Sequence, residues 1–451
     1  MSKHLKVAII GAGPAGIYAG NILHSQHPDV SIDLFDSLPA PYGLIRYGVA
    51  PDHPRIKGIV NSLHEMLAEG TIRFFGNVTF GRDITLEDIH NHYHAVIFAT
   101  GAIKDAELNI PGIDLDGSYG AADFVSWYDG HPDYPRTWPL HAKQVAVLGN
   151  GNVALDVARI LAKGAEDLLS TDIPDNVYQG LKHSPVTDVH VFGRRGPGQI
   201  KFTPIELREL GEVEDVDIVV YEEDFAPIAG KEDWFDEDAE GITNQQKVMA
   251  RILNSWRERK PTGASRRLHL HFWHKPIEIT GDEKVSGAKF ERTALDGETL
   301  VGTGEMREYE LQAVYRAVGY FGSELAKVPF DSKLGVIANE GGRVIRADGT
   351  PMIGLYATGW IKRGPVGLIG HTKSDAMETI ANLVADIDKL DDPKNSHSVI
   401  AELDARGVKY TDWAGWLKLN AHELELGENH QPVRERVKVV DRDDQVRISR
   451  S

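Results

Sequence analysis

A chain of 451 residues is long enough for two or three domains with sizeable cores. The absence of cysteine excludes disulfides, thiolate-held iron–sulfur clusters, cysteine-based zinc sites and a dithiol redox mechanism, so any redox chemistry must sit on a bound cofactor; no metal site is expected. A formal net charge of −18 argues against nucleic-acid binding, no apolar run is long enough to span a membrane, and the first strand-like run begins at Leu5, which leaves the expectation of a cytoplasmic protein.

Two stretches of similar design organise the chain. The first, "KVAIIGAGPAGIYAGNIL" (Lys6 to Leu23), opens with a short continuous apolar run, the signature of a strand buried on both faces. Gly11, Gly13 and Gly16 then form a Gly-x-Gly-x-x-Gly turn leading into a helical pattern. In such a turn the first glycine permits a tight bend, the second lets backbone approach a pyrophosphate, and the third packs helix on strand. The helix N-terminus offers unpaired N–H groups to the phosphates. Asp36 ends the next strand-like run, "SIDLFDS", where a carboxylate accepts bonds from ribose hydroxyls and would repel a 2′-phosphate.

"HAVIFATGA" (His94 to Ala102) is a further strand ending in Ala-Thr-Gly, and the tripeptide returns in "GLYATGW" near Gly359. Both are expected to be points where the chain crosses between domains. The expected layout is α/β, with two Rossmann-like dinucleotide-binding domains, the second inserted into the first: residues 1–101 and 326–451 make one domain, 102–325 the other.

The second stretch, "QVAVLGNGNVALDVARIL" (Gln144 to Leu161), carries Gly149, Gly151 and Ala154 as Gly-x-Gly-x-x-Ala, followed by apolar residues at helical spacing, Val153, Val157, Ile160 and Leu161. Its next parallel strand is expected at Asp188–Phe192. Where an acid would end that strand, Arg194 and Arg195 stand. Two guanidiniums there suit a ribose 2′-phosphate through forked, charge-assisted bonds. The acid-ended site therefore reads as the FAD site and the arginine-ended one as the NADP(H) site, with FAD accepting a hydride from NADPH and returning electrons singly.

Residues 212–242 are strongly acidic and read as a solvated excursion. The basic stretch Arg251, Arg257, Arg259, Lys260, Arg266 and Arg267 is a candidate docking patch for an acidic electron carrier. The segment 390–451 shows a helical pattern around Trp413 and Trp416 and carries no recognisable chemistry.

These residues resemble the adrenodoxin reductase family, which includes ferredoxin–NADP reductases of actinobacterial type. The resemblance covers most of the chain. It rests on "GAGPAGIYAG", "PYGLIRYGVAPDHPRIK", "FFGNVTFG", "GNGNVALDVARIL", "FGRRGPGQIKFTPIELREL" and "GWIKRGPVGLIGHTKSDA". It implies an NADPH:ferredoxin oxidoreductase that passes electrons to an iron–sulfur protein of ferredoxin or adrenodoxin type, or to a flavodoxin, and that works as a monomer. It further implies FAD contacts at Ala15, Asp36, Leu44, Val78, Trp360 and Gly367, Leu368 and Ile369. NADP contacts map to Gly151, Asn152, Val153, Ala154, Arg194, Arg195, Glu206 and Gly367. The family's active-site histidine corresponds to His53, near a carboxylate matching Glu209, and Asp156 matches a further family acid near the flavin. "HTKSD" (His371 to Asp375) departs from an expected threonine-rich run.

Other readings stay open on the residues alone. A flavin monooxygenase would consume NADPH with oxygen and an organic substrate, and a non-catalytic module could sense NADPH. Disulfide reductases, and the glutamate synthase small subunit with its cysteine cluster, do not fit a cysteine-free chain.

Overall fold

A computed structural model describes residues 4–200, 202–226, 242–365, 370–395 and 397–451. Two separate sheets form the scaffold. The first has seven strands in the order Asn339–Glu340, Arg343–Ile345, Pro351–Ala357, Ala95–Phe98, Lys6–Ile10, Ser31–Phe35, Ile72–Phe75. The last five run parallel and the outer two are antiparallel additions. The second has six parallel strands: Ser118–Gly120, Ala313–Arg316, Gln144–Leu148, Asp188–Phe192, Arg266–His271 and Val216–Val220. Its segments fall wholly between segments of the first sheet, so one dinucleotide-binding fold is inserted in the other.

The apolar runs become strands because each is covered on both faces. Val7, Ile9, Val145 and Val147 are buried, and so is most of the helix Asn152–Ala162. Full burial of each Leu, Ile or Val side chain contributes roughly 1.5–3 kcal/mol. In the first sheet Lys6–Ile10 lies between Ser31–Phe35 and Ala95–Phe98; in the second Gln144–Leu148 lies between Asp188–Phe192 and Ala313–Arg316. At both places the strand order reverses, which opens a crevice beyond the strand ends where the glycine turns sit. A three-stranded antiparallel meander, His274–Thr280, Gly287–Asp296 and Thr299–Glu310, covers one face of the inserted sheet.

Three expectations need correction. Only the first Ala-Thr-Gly precedes a crossing. The return is made by Tyr320–Phe321, which pairs antiparallel with Lys104–Asp105. The second tripeptide ends a strand that lies beside Ala95–Phe98 in the same sheet, so the two tripeptides stand side by side. The acidic stretch is not wholly a solvated excursion. Val216–Val220 is a sheet strand, and Asp224 is buried, paired with Arg292 and accepting from the amide of Phe272. Residues 227–241 lie outside the described residues. The basic stretch is largely consumed internally: Arg257 pairs with Glu222, Arg267 with Asp188, and Arg259 and Arg266 donate to backbone carbonyls.

Candidate functional site

The helix Pro14–Gln26 begins at Gly13 and the helix Asn152–Ala162 at Gly151, both without a side chain capping their first N–H groups. Five other helices are capped by Thr85, Thr203, Thr243, Asp412 and Asp441, while others, such as Ala121–Tyr128 and Asp175–Lys182, also lack a side-chain cap. Uncapped N-termini leave donors for an anion, and both coincide with the glycine turns. Gly11 has φ +112°, which a side chain would strain, and a carbon added to Gly16 would lie 2.0 Å from the Gly11 carbonyl oxygen.

At the first turn the structure gathers the sequence-predicted residues. The Asp36 carboxylate accepts the amides of Ala12 at 2.7 Å and Leu38 at 2.8 Å. Burial pushes its pKa to about 6 against those two bonds. Val78 is buried and its N–H donates to the Asp36 carbonyl. The Tyr42 amide donates to the Ala12 carbonyl, which brings Leu44 over the turn; Gly359 packs against Ala15, placing half-buried Trp360 at the same edge. Thr100 Oγ1, in the first Ala-Thr-Gly, is buried without a described partner. A carboxylate at the strand end, free helix amides and an orphan hydroxyl fit a dinucleotide with an unphosphorylated ribose. Gly367, Leu368 and Ile369 lie outside the described residues.

At the second turn, a carbon placed on Gly151 would meet nothing within 4 Å, so the turn is open there, and the Asn150 Nδ2 donor is buried without a described partner. Asn152 Oδ1 accepts the Thr203 amide at 3.2 Å, Val153 packs on the core and Ala154 is buried beneath it. Arg194 and Arg195 are exposed just past Asp188–Phe192, the neighbour of the glycine-turn strand, and pair with no described carboxylate. Two unneutralised guanidiniums beside open helix amides fit a dinucleotide with an extra phosphate.

Between the two turns, a loop of the first domain meets two helices of the inserted one. His53 is only 4% exposed. Its Nε2 lies 2.8 Å from Asp156 Oδ1 and 3.1 Å from Glu206 Oε2, and its Nδ1 lies 3.0 Å from Glu209 Oε2. Glu206 and Glu209 are three apart on the helix Pro204–Leu210, so both reach the ring. Burial alone would lower the His53 pKa; hydrogen bonds to Asp156 and Glu206 outweigh it and raise it to about 10. Burial pushes Glu209 up, opposed by the charges of His53 and Arg159.

Sequence reasoning missed two members of this cluster, Asp52 and Arg159. Arg159 grips Asp52 with two bonds of 2.8 Å, and Lys163 adds a third at 2.9 Å. Burial would raise Asp52, but Arg159 and Lys163 hold it well below the usual carboxylate range. The available signal was an arginine inside the apolar face of "ALDVARILA", a position a helix leaves charged only for a buried partner.

The fold and the paired turns define a pyridine-nucleotide oxidoreductase with two dinucleotide sites. The family model for pyridine nucleotide-disulphide oxidoreductases matches residues 5–182. The chain is 39% identical to the NADPH-ferredoxin reductase FprA of Mycobacterium tuberculosis, over 98% of each chain. It is 35% identical to the mitochondrial NADPH:adrenodoxin oxidoreductase of Homo sapiens, over 99% of this chain and 92% of the other. The solved structure of Mycobacterium tuberculosis FprA in complex with NADPH superimposes with a TM-score of 0.90 at 36% identity, over the whole of both chains. This chain belongs to the family of NADPH-ferredoxin and NADPH:adrenodoxin reductases.

Proposed function

We propose that the protein is an FAD-dependent NADPH:ferredoxin oxidoreductase, in which NADPH and two oxidised ferredoxins give NADP⁺, two reduced ferredoxins and one proton. The observation that carries this reading is the pairing in one chain of two uncapped glycine turns, one ended by a buried carboxylate and the other by two exposed arginines. FAD, when bound, supplies the group that takes a hydride and releases electrons one at a time. Gly11, Gly13, Ala15, Gly16, Asp36, Leu44, Val78 and Trp360, with Gly367, Leu368 and Ile369, would hold it. Gly149, Gly151, Asn152, Val153, Ala154, Arg194, Arg195 and Glu206 would hold NADP(H).

Each residue has a physical task. Asp36 accepts ribose hydroxyls and repels a 2′-phosphate; Arg194 and Arg195 do the reverse. Glu206 is buried, with Oε2 3.1 Å from His53 Nε2, and stands at the domain seam where a ligand would lie. Hydride transfer needs no strong base, so His53, Glu209 and Asp156 act by fixing charge and position where the two cofactors meet. The domain divisions 1–101, 102–325 and 326–451 belong to this reading, as do a monomeric state and a cytoplasmic site of action. The one-electron partner is an iron–sulfur protein of ferredoxin or adrenodoxin type, with flavodoxin the alternative. Among the described residues no helix is long and apolar enough to cross a membrane.

The test is an anaerobic assay of NADPH-driven reduction of a [2Fe–2S] ferredoxin by the purified yellow protein. Catalytic reduction of the ferredoxin is expected. NADPH consumption that requires oxygen and an organic substrate, with no transfer to the iron–sulfur protein, would replace this reading with a monooxygenase.

A further inference from the structure

Arg159 sits where the reductase reading needs a group that steadies charge, and its contacts are too specific for simple neutralisation. Its side chain is 2% exposed. Nε and Nη2 grip the two oxygens of Asp52, the residue preceding His53 in the chain. The same Nη2 lies 2.9 Å from Asp156 Oδ1, one helical turn earlier, and 2.9 Å from His53 Nε2. Nη1 is left buried without a described partner. The guanidinium is thus oriented by Asp52 toward the histidine rather than to satisfy all its own donors.

We propose that Arg159, clamped by Asp52, is a positioning residue that keeps the His53 ring in one orientation in both of its protonation states. The argument is one of donors and acceptors. When the ring is charged, Nδ1–H donates to Glu209 and Nε2–H to Asp156 Oδ1; Arg159 Nη2–H is then a second donor to that same oxygen. When the ring is neutral with its proton on Nδ1, the Glu209 bond persists and the Nε2 lone pair needs a donor. Asp156 and Glu206, which both face Nε2, offer only lone pairs there. Arg159 Nη2–H, already 2.9 Å away, is that donor. The ring exchanges its Nε2 proton without turning, and Nε2 keeps a partner in both states.

The surroundings are consistent with this. The groups facing His53 are Asp156 and Arg159 from the helix Asn152–Ala162 and Glu206 and Glu209 from the helix Pro204–Leu210. Asp52 and Lys163 stand behind Arg159, and Tyr128 and Tyr320 lie within the field of Asp156. Four carboxylates against Arg159 and Lys163 favour the charged ring, and Glu209, 39% exposed, is the most solvent-open of the described carboxylates at the ring. The proposal rests on the reductase reading for its catalytic consequence, since each turnover releases one proton; the ring orientation is independent of it.

The test is a pH series of histidine ¹⁵N spectra of the flavin-loaded protein, with the His53 signals identified by their loss in His53→Gln. Wild type is expected to show the Nδ1–H tautomer once the ring is neutral. In Arg159→Met the neutral ring is expected to switch to Nε2–H, donating to Asp156, a signature that general loosening of the fold does not produce. Asp52→Asn keeps the guanidinium but weakens its clamp, and is expected to give a mixture of the two tautomers; it serves if Arg159→Met does not fold. An Nε2–H tautomer in wild type, or an unchanged Nδ1–H tautomer in the foldable variant, would overturn the proposal. Failure of the reductase reading shows separately, as wild-type flavin that NADPH does not bleach.

Discussion

Two buried clusters of charge join the domains, and they differ in a way that separates chemistry from fastening. The His53 cluster holds a titratable ring among four carboxylates and reaches solvent through Glu209. The second cluster joins Lys57 of the first domain, Asp129 and Asp172 of the inserted domain, and Lys438 of the C-terminal segment. Lys57 Nζ bonds both Asp172 oxygens at 2.8 and 3.0 Å, and Lys438 Nζ bonds Asp172 at 3.0 Å and donates to the carbonyls of Arg46 and Asp129. Asp129 is fully buried, with each ammonium 3.6 Å away. Burial pushes Asp129 up to about 7 and Lys438 down to about 8. Nothing in this second cluster opens to water through a half-exposed group, so it fits a clasp. Arg46 with buried Glu423 extends the clasp along the segment from 413 onward. The same ingredients serve the proposed site only where one member can exchange a proton.

The largest effect expected from this contrast is on stability. Lys438→Met should leave Asp129 and Asp172 short of a counter-charge in a sealed site, at about 3–5 kcal/mol. The urea midpoint should fall far more than in His53→Gln, where solvent can enter through Glu209; equal losses would break the comparison. Second, replacing Arg194 and Arg195 with neutral residues should weaken NADPH binding by about 1.5–3 kcal/mol for each guanidinium–phosphate bond removed. The KM for NADPH should rise steeply and that for NADH little. Equal effects on both nucleotides would remove the arginines from the phosphate.

A third, smaller effect is a pH slope. His53 is held above its ordinary value of 6.5, at about 10. Its contribution to stability is fully present below pH 6.5 and is lost as pH rises through about 10. The difference in unfolding free energy between wild type and His53→Gln should therefore shrink over that window, and a difference that grows with pH would contradict the charged ring. Smallest of all, Asp444→Ala breaks an exposed pair with Arg447. It should change stability by no more than about 0.5 kcal/mol, which sets the scale against which the buried clusters are judged.

What could be read in the sequence follows from how far apart interacting residues lie. The glycine turns, Asp36 after its strand and the arginine pair after Phe192 are local spacings fixed by strand and helix geometry. Glu206 and Glu209 share a helix face by their separation alone. The clasp was illegible because its partners are remote: Arg46 and Glu423 are 377 residues apart. Val216–Val220, an edge strand rich in β-branched residues, was masked by flanking acids. The basic stretch looked like a docking surface because composition does not reveal that Arg267 already answers Asp188 across two strands. Arg159 was hidden in plain helical periodicity, its charge explained only once Asp52 is beside it.

The division of labour between an acid-ended and an arginine-ended dinucleotide site is tested most directly by stopped-flow reduction of the flavin-loaded protein. Absorbance would be followed with NADPH and with NADH, in wild type and in the Arg194 and Arg195 double variant, before ferredoxin is added without oxygen. Fast bleaching of wild type by NADPH, slow bleaching by NADH, convergence of the two in the variant and reoxidation by ferredoxin are the expected results. Equal bleaching of wild type by both nucleotides, or a reduced protein that ferredoxin leaves untouched, would contradict the account.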